Sequence, residues 1–204
     1  MCWPHAPLRL SIVGLPTLSS IVFATALIIG EPAARADRAH VTVGGPFMLS
    51  APDGTTVTDE TYRGQWLLVF VVYTSCPDIC PTTLNEIAGT LETFACGAAR
   101  RQPIFITVEP ERDTPEAMGK YTEAFDSRIV GKTGSPQQIA NVAQEYGAYS
   151  AHRESGTGAK DYLVDHSTYI CIVDPKGKFV RGLDFDMPWR RIAETLRKLM
   201  GAIW

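Results

Sequence analysis

Cys76 and Cys80 stand four residues apart in Tyr73-Thr74-Ser75-Cys76-Pro77-Asp78-Ile79-Cys80-Pro81. Two thiols at this spacing can act in two ways. As thiolates they are soft donors able to share one metal ion, and as a pair they can oxidise to a disulfide. If Cys80 lies in the first turn of a helix, the two share a face, with Cα atoms roughly 6 Å apart at ~1.5 Å rise per residue. A helix N-terminus favours negative charge and therefore the thiolate. The plainer alternative is a pair of inert buried cysteines or a stapling disulfide.

The flanking residues say what holds the pair. Trp66-Leu67-Leu68-Val69-Phe70-Val71-Val72-Tyr73 is apolar without alternation, which reads as a strand buried on both faces. Pro81, followed by Thr82-Thr83-Leu84, reads as the start of a helix running to Cys96, with Leu84, Ile87, Ala88, Leu91 and Ala95 on one face. The thiols therefore sit where a buried strand ends and a helix begins.

Elsewhere strands and helices alternate. Phe47-Met48-Leu49 and Thr56-Val57-Thr58 flank Pro52-Asp53-Gly54 and predict a β-hairpin. Pro103 to Val108 predicts a strand and Pro115 to Phe125 a helix capped by Thr114. Ile129 to Lys132 reads as a short strand, and Ser135-Pro136 opens a helix to Tyr146. Ala151 to Ala159 reads as a mobile Gly/Ser-rich loop. Tyr162-Leu163-Val164 and Thr168 to Val173 are extended, Asp174 to Gly177 turns into a hairpin with Lys178 to Arg181, and Trp189 to Met200 is an amphipathic helix. The acids of Glu109-Pro110-Glu111-Arg112-Asp113-Thr114-Pro115-Glu116 read as helix capping and a solvated loop, or as residues lining a site at the end of a strand.

This order predicts an α/β fold of thioredoxin-like type: a mixed central sheet flanked by helices, with an extra N-terminal β-hairpin. The thiol spacing departs from the C-x-x-C of thioredoxins. In such a sheet the strand from Thr168 runs antiparallel to the cysteine-bearing one, so its beginning lies beside the thiols. Thioredoxins carry a cis-proline there, whereas this chain has no proline between Pro136 and Pro175 and places His166 just before that strand. Two thiolates and an imidazole suit Cu(I), or Cu(II) with an added ligand; structural zinc would ask for a fourth protein donor.

Of the other histidines, His5 lies in the N-terminal leader, His40 beside its expected cleavage point and His152 in the expected loop. Residues 1–36 read as a signal peptide cleaved after Ala34-Arg35-Ala36, with an uncleaved membrane anchor through residues 10–29 as the alternative. Either way the domain, 37–204, faces the cell envelope or periplasm. The 204-residue chain carries a formal charge of −3; Arg9, Arg35 and Glu31 give the leader +1, which leaves −4 on the domain. With no basic stripe, nucleic acid is excluded as a partner. Cys2 leaves with the leader, and Cys96 and Cys171 read as small core residues.

With both motifs in view, the chain resembles the Sco/SenC family of copper-binding, thioredoxin-fold proteins. The resemblance rests on Gly44-Gly45-Pro46-Phe47, Cys76-Pro77-Asp78-Ile79-Cys80-Pro81, Glu109 to Pro115 and Asp161-Tyr162-Leu163-Val164-Asp165-His166. It implies a copper chaperone for the binuclear copper A centre of cytochrome c oxidase, with metal ligands Cys76, Cys80 and His166. Its partners would be the copper-accepting oxidase subunit and a thiol reductant. Asp78 fills the acidic position between the family cysteines, and Glu109 stands where the family more often has Asp. The alternative function is a thiol–disulfide oxidoreductase, with Cys76 as the catalytic nucleophile and Cys80 resolving. That reading has no use for His166.

Overall fold

A computed structural model describes residues 43–94, 100–154, 162–166 and 169–201, with the backbone alone described for 150–154 and 162–166. The leader over residues 1–36, Cys2, His5, His40 and Cys96 lie outside the described residues.

The centre of the fold is β3 (Trp66–Val72), in which all seven residues are buried, as an unbroken apolar run requires. On one side β4 (Arg101–Thr107) pairs with it in parallel, Phe70 opposite Phe105. On the other, β8 (Tyr169–Val173) is antiparallel, Val69 opposite Cys171. Outside β4 runs β5 (Val130–Lys132), and outside β8 runs β9 (Phe179–Asp184), which gives the five-stranded order β5-β4-β3-β8-β9. This is the mixed, thioredoxin-like sheet that the sequence predicts. The N-terminal hairpin is also present, β1 (Met48–Ser50) against β2 (Thr56–Thr58). Its turn is fixed by Gly54 at φ 81° and by Asp53, which accepts from the Thr55 amide and hydroxyl. A four-residue 3-10 helix, Asp59–Tyr62, follows and has no counterpart in the sequence reading.

Among the described residues four α-helices pack on this frame: α1 (Ile79–Glu92), α2 (Pro115–Glu123), α3 (Pro136–Glu145) and α4 (Trp189–Gly201). The proline-led starts of α2 and α3 are capped as expected, Thr114 accepting from the Ala117 amide and Ser135 from that of Gln138. Residue alternation separates the two faces of the sheet. Phe70 and Phe105 meet edge-to-face at 5.4 Å, and Phe105 touches Tyr121 of α2. Val69, Val71 and Cys171 instead face Tyr146, just past the end of α3. Along α4, Ile192 and Leu196 are fully buried, and Trp189 joins α4 to α1 by donating its amide to Glu86.

Two expectations need correcting. Helix α1 begins at Ile79 rather than Pro81 and ends at Glu92 rather than Cys96. Pro81 is the third helical residue, where the amide it lacks would have had no intrahelical acceptor, so it marks the first turn and not its first residue. The expected loop from Ala151 is in part a strand: β6 (Ser150–Glu154) pairs antiparallel with β7 (Tyr162–His166), Ser150 opposite His166 and His152 opposite Val164. Its sequence, Ser-Ala-His-Arg-Glu, lacks the apolar alternation that marks a half-buried strand. Residues 155–159 of that segment lie outside the described residues.

Candidate metal centre

After Val72 the chain leaves the sheet, turns at Thr74 and Ser75, and delivers Cys76 before α1 begins. Cys76 therefore precedes the helix, and its amide donates to the Tyr73 carbonyl at 3.4 Å. Cys80 is the second residue of α1. With Cys80 in the first helical turn the two thiols lie on the same side, and they meet across the turn-to-helix junction. Their side chains are hydrogen-bonded to each other. Cys76 retains 8% of its accessible surface and Cys80 1%, beneath a lip of exposed Ser75, Pro77 and Asp78.

The electrostatics of the pair follow from that contact. The bond from Cys76 pushes the Cys80 thiol well above its ordinary value of 9.0, burial pushes in the same direction, and the charge of Asp113 adds to both. A bond to the Tyr73 backbone opposes them. Without a metal, Cys80 is thus held as the neutral thiol. A cation placed between the sulfurs reverses the balance, because the thiols must lose their protons to bind it. The helix end is suited to the resulting negative charge. Asp78 is the N-cap of α1 but makes no side-chain cap, and the first turn holds no acid, so the positive helix terminus is left for the sulfurs. Asp78 itself is an exposed turn residue whose carbonyl accepts from Thr82.

The acidic loop after β4 is solvated only in part: Glu111 and Glu116 are exposed, but the other two acids are not. Glu109 and Asp113 are 4% and 1% exposed. Glu109 pairs with Arg112, so the longer acid at the position where the resemblance leads one to expect Asp is spent on an internal ion pair. Asp113 turns back toward the cysteine turn and accepts from both the amide and the hydroxyl of Thr74. Tyr121 is a further neighbour of the site: burial first, then the charges of Cys80, Cys76 and Asp113, push its phenol up. Neither Asp113 nor Tyr121 carries a local signal of this role, because each reaches the thiols from an element distant in sequence.

His166 is the last residue of β7. Strand β8 begins three residues later and runs antiparallel to β3, so its start lies at the end of the sheet where β3 leads into Cys76. Its imidazole lies outside the described side chains. Among the described residues no three His, Cys, Asp or Glu side chains gather as a metal site. What is described is two sulfurs in contact, buried under an open lip, a donor pair matched to a soft cation and incomplete without a third donor.

Cys171 behaves as a core residue. It is 2% exposed, and burial pushes its thiol up from 9.0 to about 12. The unfolded chain then loses this proton first, so the stability that this thiol contributes falls as the pH rises from 9.0 toward about 12, and this contribution is constant below that window. Chemical denaturation across that range should show Cys171→Ala with a shallower decline, by up to about 1.4 kcal/mol per pH unit. Parallel slopes would place this thiol in contact with water.

A family model described as SCO1/SenC matches residues 35–201. An SCO2-like protein of Rickettsia prowazekii is 32% identical over 157 residues, covering 77% of this chain and 77% of the relative. Among solved structures, Arabidopsis thaliana ScoI with copper bound aligns at TM-score 0.72 and 32% identity, covering 78% of this chain and 99% of that one. Bradyrhizobium japonicum ScoI with copper bound aligns at TM-score 0.70 and 38% identity, covering 76% and 98% respectively.

Proposed function

Because this chain belongs to the SCO1/SenC family, we propose that it is a metallochaperone that carries copper to the binuclear copper A site of cytochrome c oxidase. Cys76, Cys80 and His166 are its ligands in this reading, and copper is cargo rather than a resident cofactor. The observation that carries the proposal is the contact between two buried thiols at an uncapped helix start. The copper held by the Arabidopsis and Bradyrhizobium relatives supports the choice of metal.

Softness and access then explain the cycle. Two thiolates select Cu(I), and a third donor from the start of the neighbouring strand adds affinity without closing the shell. An incomplete shell lets an acceptor thiolate enter as one of the chain's own donors leaves. Only the dithiol binds, so a disulfide between Cys76 and Cys80 would need a reductant before loading. The compartment follows from the leader: residues 1–36 would export the domain, 37–204, or anchor it to the envelope through residues 10–29. No helix among the described residues is long and apolar enough to cross a membrane, and residues 10–29 lie outside them.

The thiol–disulfide oxidoreductase reading draws on the same contact. Cys76, the more exposed sulfur, would attack a partner disulfide; Cys80 would then displace the partner thiol, with two electrons and two protons passing to the partner. The test mixes the Cu(I)-loaded protein with an apo copper A domain under anaerobic conditions. Copper moving to that domain, leaving the donor's Cys76 and Cys80 as thiols, supports the chaperone. That mixture uses the domain with its cysteines reduced; in parallel the copper-free dithiol protein is mixed with the same domain as its disulfide. Donor disulfide formed as the domain's disulfide is reduced to two thiols, with no copper movement in the first mixture, supports the oxidoreductase.

A further inference from the structure

Asp113 is the most enclosed carboxylate described near the thiols, and both of its oxygens are used. Oδ2 accepts from the Thr74 amide at 3.0 Å and from the Thr107 hydroxyl at 2.5 Å, and Oδ1 accepts from the Thr74 hydroxyl at 2.5 Å. Thr107 is anchored in turn, its oxygen accepting from the Glu109 amide at 2.8 Å. Main-chain pairing between β3 and β4 reaches Val72 opposite Thr107, with one further bond from the Val108 amide to the Val72 carbonyl. Beyond that point Asp113 takes over from the ladder. It ties Thr74, two residues before Cys76, to the end of β4.

We propose that Asp113 is a positioning residue for the thiol pair: by clamping Thr74 to the end of β4, it keeps Cys76 in contact with Cys80. Cys80 is fixed independently, as a fully buried residue of the first turn of α1. Cys76 has no helix to hold it. Its lip neighbours Ser75 and Pro77 are exposed, so the clamp at Thr74 restrains the turn from the β4 side, beside the Cys76 amide bond to the Tyr73 carbonyl. A carboxylate suits the task because it accepts several hydrogen bonds at once and those bonds are charge-assisted.

The test is the equilibrium of the full-length protein with glutathione. Glutathione disulfide takes two electrons and two protons from the Cys76 and Cys80 thiols and is cleaved to two glutathione thiols. The constant is read by alkylation and mass spectrometry of the peptide that carries both cysteines. It measures how often the sulfurs meet. Asp113→Ala is expected to lower it by roughly tenfold and Thr74→Val by roughly threefold, while the double variant falls no further than Asp113→Ala because both act through one contact. Asp113→Asn is expected to stay within about twofold: its oxygen still accepts from the Thr74 amide and Thr107, and its amide donates to a reversed Thr74 hydroxyl. An unchanged constant in Asp113→Ala, an additive double variant, or a tenfold fall in Asp113→Asn overturns the proposal. Should Asp113→Ala not fold, Thr74→Val decides, and an unchanged constant there overturns it equally. The extension to copper rests on the proposed function, and Cu(I) affinity should then follow the same order. If the wild-type protein binds no Cu(I), that function fails while the glutathione measurement still judges Asp113.

Discussion

Cys76→Ser and Cys80→Ser are each expected to abolish tight Cu(I) binding. The change replaces a soft, polarisable sulfur by a hard hydroxyl, which at neutral pH neither ionises nor matches Cu(I). The loss should exceed the roughly 10–100-fold that removal of an outer-shell partner costs a metal site, since a direct donor disappears. Among the described residues no other thiol can substitute: Cys171 lies within β8 opposite Val69, buried in the sheet. Competition with a chelator of known affinity under anaerobic conditions measures the effect. Cys171→Ala is the control, expected to bind as the wild type does. A Cys76→Ser protein that retained wild-type affinity would remove the sulfur pair from the account.

The second large effect is on the frame that presents the pair. Phe70 lies mid-strand in β3, is 1% exposed, and meets the Phe105 ring edge-to-face at 5.4 Å and 85°. Phe70→Ala removes a large buried ring and leaves a cavity beside the Phe105 ring. The expected cost is about 3–5 kcal/mol, a large part of a net stability of about 5–15 kcal/mol. Urea titration by circular dichroism should show the midpoint shift with little change in slope. A cost below about 1 kcal/mol would mean that the ring is not packed as described.

What could be read from the sequence depended on whether the signal was local. Trp66–Val72 is legible because only a strand covered on both faces tolerates seven buried residues in a row. The starts of α2 and α3 are legible because Thr114-Pro115 and Ser135-Pro136 carry cap and proline together. Pro81 misleads by two residues because proline is tolerated throughout a first helical turn. Strand β6 escapes because Ser150–Glu154 earns its extended form from pairing with β7, not from its own pattern. The thiol pair stands out by residue type, and its contact is then visible in the structure. Asp113 was legible as an acid in a polar loop, yet its burial depends on Thr74 and Thr107, respectively 39 and 6 residues away in sequence.

The central claim is a copper site built from two thiols and the distant His166. Anaerobic titration of the reduced protein with Cu(I) against a competing chelator, beside His166→Ala, tests it most directly. The account predicts tight one-to-one binding in the wild type and a loss of more than about 100-fold in the variant, since a direct imidazole donor is removed. Binding that is weak, or equally tight without His166, would contradict the three-donor site.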